Sequence, residues 1–148
     1  MSATVPTLRP AAETGPAAKL APRRHKLLTK AIQDALPALY ATNRVPLDDK
    51  IVHVKFFNPY GCATWWAVEG GPETDDEGEE VDFTFFGAVD LGMTEEPEWG
   101  YFSLRELEET EVRMGRHMLP LERDCWWTPK SWAEVRESLR GSEEREDA

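Results

Sequence analysis

Apolar positions along the chain follow two distinct periods. In "HKLLTKAIQDALPALYAT" (25–42), Leu28, Ile32, Ala35, Leu36 and Leu39 recur at helical spacing. Thr29 stands where a cap belongs, and Pro37 breaks or restarts the helix near its end. The period then shortens. "IVHVKFF" (51–57) sets Val52, Val54 and Phe56 against His53, Lys55 and Phe57, which reads as a strand with one wetter face. "NPYG" turns the chain, "ATWWAV" (63–68) is the return strand, and "VDFTFFGAVDL" (81–91) is a third. Between the last two, "EGGPETDDEGEE" combines glycine, proline and uncompensated acids, the composition of an exposed loop. "WGYF" (99–102) adds a fourth strand, and short turns between neighbours imply an antiparallel meander.

Two helix starts carry a capping box, in which a Ser side chain accepts from the third helical N–H while a Glu three residues on reaches back. They are Ser103 with Glu106 and Ser131 with Glu134. Phe102 and Leu107 are placed to staple the first; Trp132, Val135 and Leu139 form an apolar stripe on the second. The fold expected is therefore α+β: an antiparallel sheet of four to five strands with three short helices, the two that carry capping boxes covering one sheet face.

The ends read differently. Residues 1–24 are rich in Ala, Pro and Thr without periodicity and cannot bury enough apolar surface to offset ordering, so a flexible basic arm is expected there. "GSEEREDA" (141–148) follows a glycine able to end a helix and reads as a disordered acidic tail. The single globular domain is placed at 25–140.

Charge sharpens this division. The formal net charge is −11, yet Arg9, Lys19, Arg23, Arg24, Lys26 and Lys30 face only Glu13 in the first 30 residues, giving +5 there and −16 for the remainder. A body that acidic repels phosphate backbones, so direct nucleic-acid binding by the folded part is not expected, whereas contact through the basic arm remains an alternative. No apolar run approaches the ~20 residues of a bilayer span, and proline, glycine and charge interrupt the amino terminus too often for a secretory signal. A cytoplasmic, non-membrane protein is expected.

A wider set of segments carries a resemblance. "LLTKAIQDALPALYAT", "KIVHVKFFNP", "TWWAVE", "FFGAVDLG", "EWGYFSLRELEE" and "LPLERDCWW" resemble a bacterial family of small domains of unknown function encoded largely on plasmids, phages and integrated elements. The resemblance spans about residues 26–139 and is most specific at "PALYAT" (37–42) and "GYFSLRELE" (100–108). It implies a bacterial, cytoplasmic, mobile-element setting and brings no catalytic residue with it.

Candidate chemistry is sparse. Cys62 could meet His53, and Cys125 could meet His117, but a nucleophilic thiol needs a nearby base and a positive surrounding, and these surroundings are apolar and acidic. The thiols are expected as small buried fillers and a Cys/His enzyme as the minority reading. Scattered single His and Cys residues lack metal-ligand spacing, so neither metal nor cofactor is expected. The tandem Trp65–Trp66 must point to opposite faces of a strand, as must Trp126–Trp127 if that segment is extended, and one ring of each pair is expected in the core. What remains is an acidic strip: Glu95, Glu96, Glu98, Glu106, Glu108, Glu109 and Glu111, with Trp99 among them, suited to a basic protein partner. A non-enzymatic interaction domain, in one form a DNA mimic of a mobile element, is the expected function.

Overall fold

The computed structural model describes residues 19–20, 25–114 and 116–146, and gives the backbone alone at 19–20, 112–114, 117 and 142–146. Among the described residues, ten strands and three α-helices follow in chain order. They are β1 (Lys19–Leu20), α1 (Lys30–Ala35), β2 (Ile51–Val52), β3 (Val54–Phe57), β4 (Thr64–Thr74), β5 (Glu80–Asp90) and β6 (Glu98–Ser103). Then come α2 (Leu104–Glu109), β7 (Glu111–Met114), β8 (His117–Pro120), β9 (Glu122–Arg123), β10 (Lys130–Ser131) and α3 (Trp132–Glu146). The central sheet has five antiparallel strands in the order β6-β5-β4-β3-β9, so the α+β meander is present. A three-stranded sheet β1-β8-β7 and a two-stranded pair β10-β2 flank it.

The tandem tryptophans explain how so thin a layer is stabilised. Trp65 enters a core with Leu27, Leu36, Phe56, Phe85, Phe102 and Leu107, on the side of α1 and α2. Its neighbour Trp66 enters a second core with Val52, Val68, Ala88, Trp132 and Val135, on the side of α3. Each ring removes roughly 200 Å² from water, a gross gain of about 5 kcal/mol at 25 cal/mol per Å² before entropy is subtracted. The helices thus cover both faces of the sheet. The expectation of one covered face fails because α3 follows β10, which pairs with β2 rather than with the central sheet.

Local signals act as their chemistry predicts. Thr29 accepts from Ile32 N and caps α1, which ends at Leu36 before Pro37. Ser103 accepts from Glu106 N at 3.1 Å, Ser131 accepts from Glu134 N at 3.2 Å, and Phe102 and Leu107 share the first core.

Four other expectations are corrected. The strand at 51–57 is interrupted at His53, which sends Val52 to the second core and Val54 and Phe56 to the first. The stretch 69–80 is no simple loop: β4 and β5 zip past Glu69 to Thr74 and Glu80, leaving only the turn at 75–79 open. The third concerns Gly141, which does not end α3, since the helix continues to Glu146. Finally, within the expected arm, Lys19–Leu20 pair in parallel with His117–Met118. Residues 1–18 and 21–24 lie outside the described residues, as do 147–148 of the expected tail.

Candidate functional site

Between Ala67 and Glu69 the β4–β5 register slips by one residue, and this bulge sets the site. Beyond it, Glu69, Phe86 and Tyr101 lie opposite one another across β4, β5 and β6, with Gly71, Thr84 and Ser103 in the next row. On this face the core closed by α3 takes in Trp66, Ala88 and Trp99 and reaches as far as Phe86. Past Phe86 the face opens: Tyr101 and Glu73 are exposed, and Thr84, which donates to Glu73 Oε1 at 2.7 Å, is half-buried.

A segment from the other side of the sheet crosses onto this open half. Gly70 N donates to Pro37 O at 2.9 Å, so residues 37–42 run past the edge of β4 where β3 has ended. Glu69, buried to 2 % exposure, captures the crossing. Its Oε1 accepts from Tyr40 N at 2.8 Å, and its Oε2 accepts from Thr42 N at 3.0 Å and from the Thr42 hydroxyl. Lys50, also buried, donates to the Thr42 carbonyl and, at 2.9 Å, to Thr42 Oγ1, while its own carbonyl accepts from Trp132 N at the start of α3. Buried charges of opposite sign are thereby satisfied through one threonine.

The consequence is presentation of Tyr40. Its φ of 70° lies in the left-handed region, which a bulky side chain adopts only when its surroundings impose it. The ring is 60 % exposed, 6.2 Å from that of Tyr101, which in turn lies 5.0 Å from Phe86. A hydrogen bond with Tyr40 raises the Tyr101 phenol above its ordinary pKa, followed by burial and the charges of Tyr40 and Glu69. The two segments that carry the most specific resemblance, "PALYAT" and "GYFSLRELE", meet here.

The sequence hides this site because Tyr40 and Glu69 are 29 residues apart and the composition of 69–80, which begins with Glu69, reads as a loop. A usable signal was a lone carboxylate directly after the apolar run "ATWWAV", where a strand exit demands a partner.

The expected acidic strip divides. Glu95, Glu96 and Glu98 are exposed at the start of β6; Glu106, Glu108 and Glu109 are exposed on α2 beyond its end, with Glu111 half-buried at the start of β7. β6 separates the two groups by about 17 Å at 3.4 Å per residue. Trp99 is turned into the second core, 5.2 Å edge-on to Trp132. Partial desolvation of its carboxyl raises the Glu106 pKa above its ordinary value, opposed by a hydrogen bond from the Ser103 backbone N–H and aided by the charge of Asp82.

Both cysteines are free and exposed, not the buried fillers expected, because each falls on a turn beyond the end of its strand. Cys62 Sγ lies 3.9 Å from Leu91 O and Cys125 Sγ 3.6 Å from Arg123 O; among the described residues no imidazole hydrogen-bonds either thiol. His53 is half-buried, and burial lowers its pKa; the side chain of His117 lies outside the described residues. No group of three or more His, Cys, Asp or Glu able to hold a metal occurs among the described residues.

The second tryptophan pair is not a strand. Trp127 is half-buried, donates Nε1 to Val52 O at 3.0 Å, and lies beneath the ammonium groups of Lys130 at 4.4 Å and Lys55 at 5.7 Å. Trp126 stands out of the turn at 92 % exposure.

These features define a small α+β domain with a doubly packed sheet and a tyrosine-bearing open half-face. The chain belongs to the family of proteins of unknown function DUF2958, whose model matches residues 27–136. Neither a curated protein nor a solved structure matches it. No helix among the described residues is long and apolar enough to cross a membrane.

Proposed function

We propose that this domain is a non-enzymatic protein-interaction module that takes a basic partner along its β6 edge. The observation that supports it most is the Tyr40–Tyr101 pair: the buried Glu69–Thr42–Lys50 network is satisfied internally and serves to hold an exposed tyrosine in a conformation that costs energy. Tyrosine offers large contact area at low entropic cost, and arginine or lysine of a partner stacks on its face. Glu95, Glu96 and Glu98 at one end of β6, with Glu106, Glu108, Glu109 and Glu111 beyond the other, supply charge complementarity that accelerates encounter and selects against acidic partners. Trp99 lies on the same side of β6 as Tyr101, and Phe86 touches both rings, 5.7 Å from Trp99 and 5.0 Å from Tyr101. In its most specific form the acidic strip imitates nucleic-acid phosphates and occupies a nucleic-acid-binding protein, as an accessory factor of a bacterial mobile element in the cytoplasm would.

The test is retention of lysate proteins on immobilised domain, with mass spectrometric identification, comparing wild type with Tyr101→Ala and with the triple variant Glu95→Gln, Glu96→Gln, Glu98→Gln. Basic proteins held at low salt by wild type and lost by both variants are expected. Equal recovery from all three overturns the proposal.

A further inference from the structure

Where strands of the central sheet end or run on past a neighbour, other parts of the chain take the edge. β9, at one side, is only 2 residues long and offers little to pair with. Where β4 continues past the end of β3, residues 37–42 cross it, and Pro37 O accepts from Gly70 N. Where β5 extends past β6, the start of α2 closes it: Arg105 N donates to Asp82 Oδ1 at 3.0 Å and the Arg105 guanidinium to Val81 O at 2.9 Å.

The outer side of β6 is different. Its 6 residues pair with β5 from Glu98 to Ser103 without a register shift, and among the described residues no strand pairs with its other side. A strand bonds one neighbour through alternate residues, so β6 turns the N–H and C=O groups of the remaining half outward. Lysine, proline and bulges, which blunt such an edge, do not occur within Glu98–Ser103. Its one charge is Glu98, negative like Glu95 and Glu96 just before it.

An aromatic row stops at the same edge. Phe86 of β5 lies opposite Tyr101 of β6 with the rings 5.0 Å apart, and Tyr101 is 36 % exposed. A further strand beside β6 sets one of its side chains in line with Tyr101, where the stem of a lysine or arginine covers the ring and its head meets the face. Charge selects the occupant. A second copy would set one strongly acidic body against another, whereas a cationic strand meets Glu95, Glu96 and Glu98 with opposite sign.

We infer that β6 is a strand-addition site, at which a lysine- or arginine-bearing segment of a partner protein joins the central sheet antiparallel to β6. This rests on the reading of the β6 edge as an interaction surface and adds what that reading does not require: main-chain hydrogen bonds that hold the partner extended.

The test takes the full isotope-labelled chain and a peptide of about nine residues, the length of an ordinary strand, in which arginine and lysine alternate with valine. Amide hydrogen exchange reads the edge directly. In the chain alone, the alternate β6 amides that do not bond β5 exchange fast; with the peptide they slow by at least about tenfold. The same peptide N-methylated at every amide keeps its charges and side chains but donates no main-chain bond, and should bind at least about tenfold more weakly. Equal affinity for the methylated peptide, or binding that leaves the β6 amides unprotected, overturns strand addition while a basic partner on this face still stands. No binding of the parent peptide also overturns it. Equal binding of a peptide with glutamate in place of its cations overturns the choice of partner. Protection of the β6 amides in the chain alone, growing with its concentration, marks a second copy as the occupant and overturns it too. Retention of lysate proteins is measured without the peptide, so failure of the basic-partner reading and failure of strand addition are told apart.

Discussion

Glu69 Oε1 accepts the Tyr40 N–H at 2.8 Å, and this one bond ties a carboxylate buried in the central sheet to a backbone held at φ 70°. The cost of that conformation is met because Glu69 has no better alternative: its other oxygen is occupied by Thr42, and buried Lys50 needs the same threonine.

Removing the carboxylate should therefore do more than free a loop. Glu69→Ala leaves two backbone N–H groups without acceptors and Lys50 buried without a counter-charge, a loss of about 3–5 kcal/mol. Glu69→Gln keeps an acceptor and the shape, so about 1–3 kcal/mol is expected. Urea unfolding of both variants measures this; an alanine variant within about 0.5 kcal/mol of wild type would show that Glu69 does not hold the crossing.

The tyrosine pair gives a spectroscopic handle on the same site. Tyr40→Phe removes the hydrogen bond that is the main cause of the raised Tyr101 pKa. Titration of phenolate absorbance near 295 nm should then show the raised Tyr101 transition moving down towards its ordinary value. An unchanged titration would mean that the two hydroxyls do not interact.

The residues that wrote the fold legibly did so through local rules. Thr29, Ser103 and Ser131 cap helices because a side-chain oxygen three residues before an unsatisfied N–H can reach it whatever the tertiary context. Trp65 and Trp66 divide between two cores because period two leaves adjacent side chains no choice. What stayed hidden depends on contacts between distant segments. The bulge after Ala67, the crossing of residues 37–42 and the break at His53 are set by where β3 and β10 stop pairing, which no window of sequence reveals. Trp126 and Trp127 were undecidable because two residues cannot show a period, and a turn fixed by Asp124 exposes one ring where a strand would have divided the pair.

His53 makes stability depend on mild acid. Burial lowers its folded pKa below the ordinary 6.5, so the unfolded chain takes up a proton first as the pH falls. Stability linked to neutral His53 is thus present above 6.5 and is lost as the pH drops through 6.5 towards the folded value. The urea midpoint should fall between pH 7 and pH 5.5 in wild type and fall less in His53→Gln. Equal slopes in the two proteins would assign the acid sensitivity elsewhere.

Two exposed thiols on turns make a sharp chemical statement. Cys62 and Cys125 accept no imidazole partner among the described residues, and each faces a carbonyl oxygen, which gives no help to a thiolate. Both should react with a chromogenic disulfide in the native state at neutral pH, two equivalents at the rate of a free thiol. Labelling of either much faster than that would reveal an activated nucleophile and revive the Cys/His enzyme; labelling only after unfolding would place the thiols inside.

Trp132 and Trp126 are six residues apart and should differ in energetic role as far as two tryptophans can. Trp132 is 3 % exposed and meets Trp66 and Trp99 edge-on at 5.4 and 5.2 Å, closing the second core where α3 begins. Its replacement by alanine leaves a cavity between three elements, and a loss of about 3–5 kcal/mol is expected. Trp126→Ala removes an indole that is already in water, and its effect should lie within about 0.5 kcal/mol. Urea unfolding of the two variants side by side decides whether the packing is divided in this way, because a costly Trp126→Ala would mean that the exposed ring is structural.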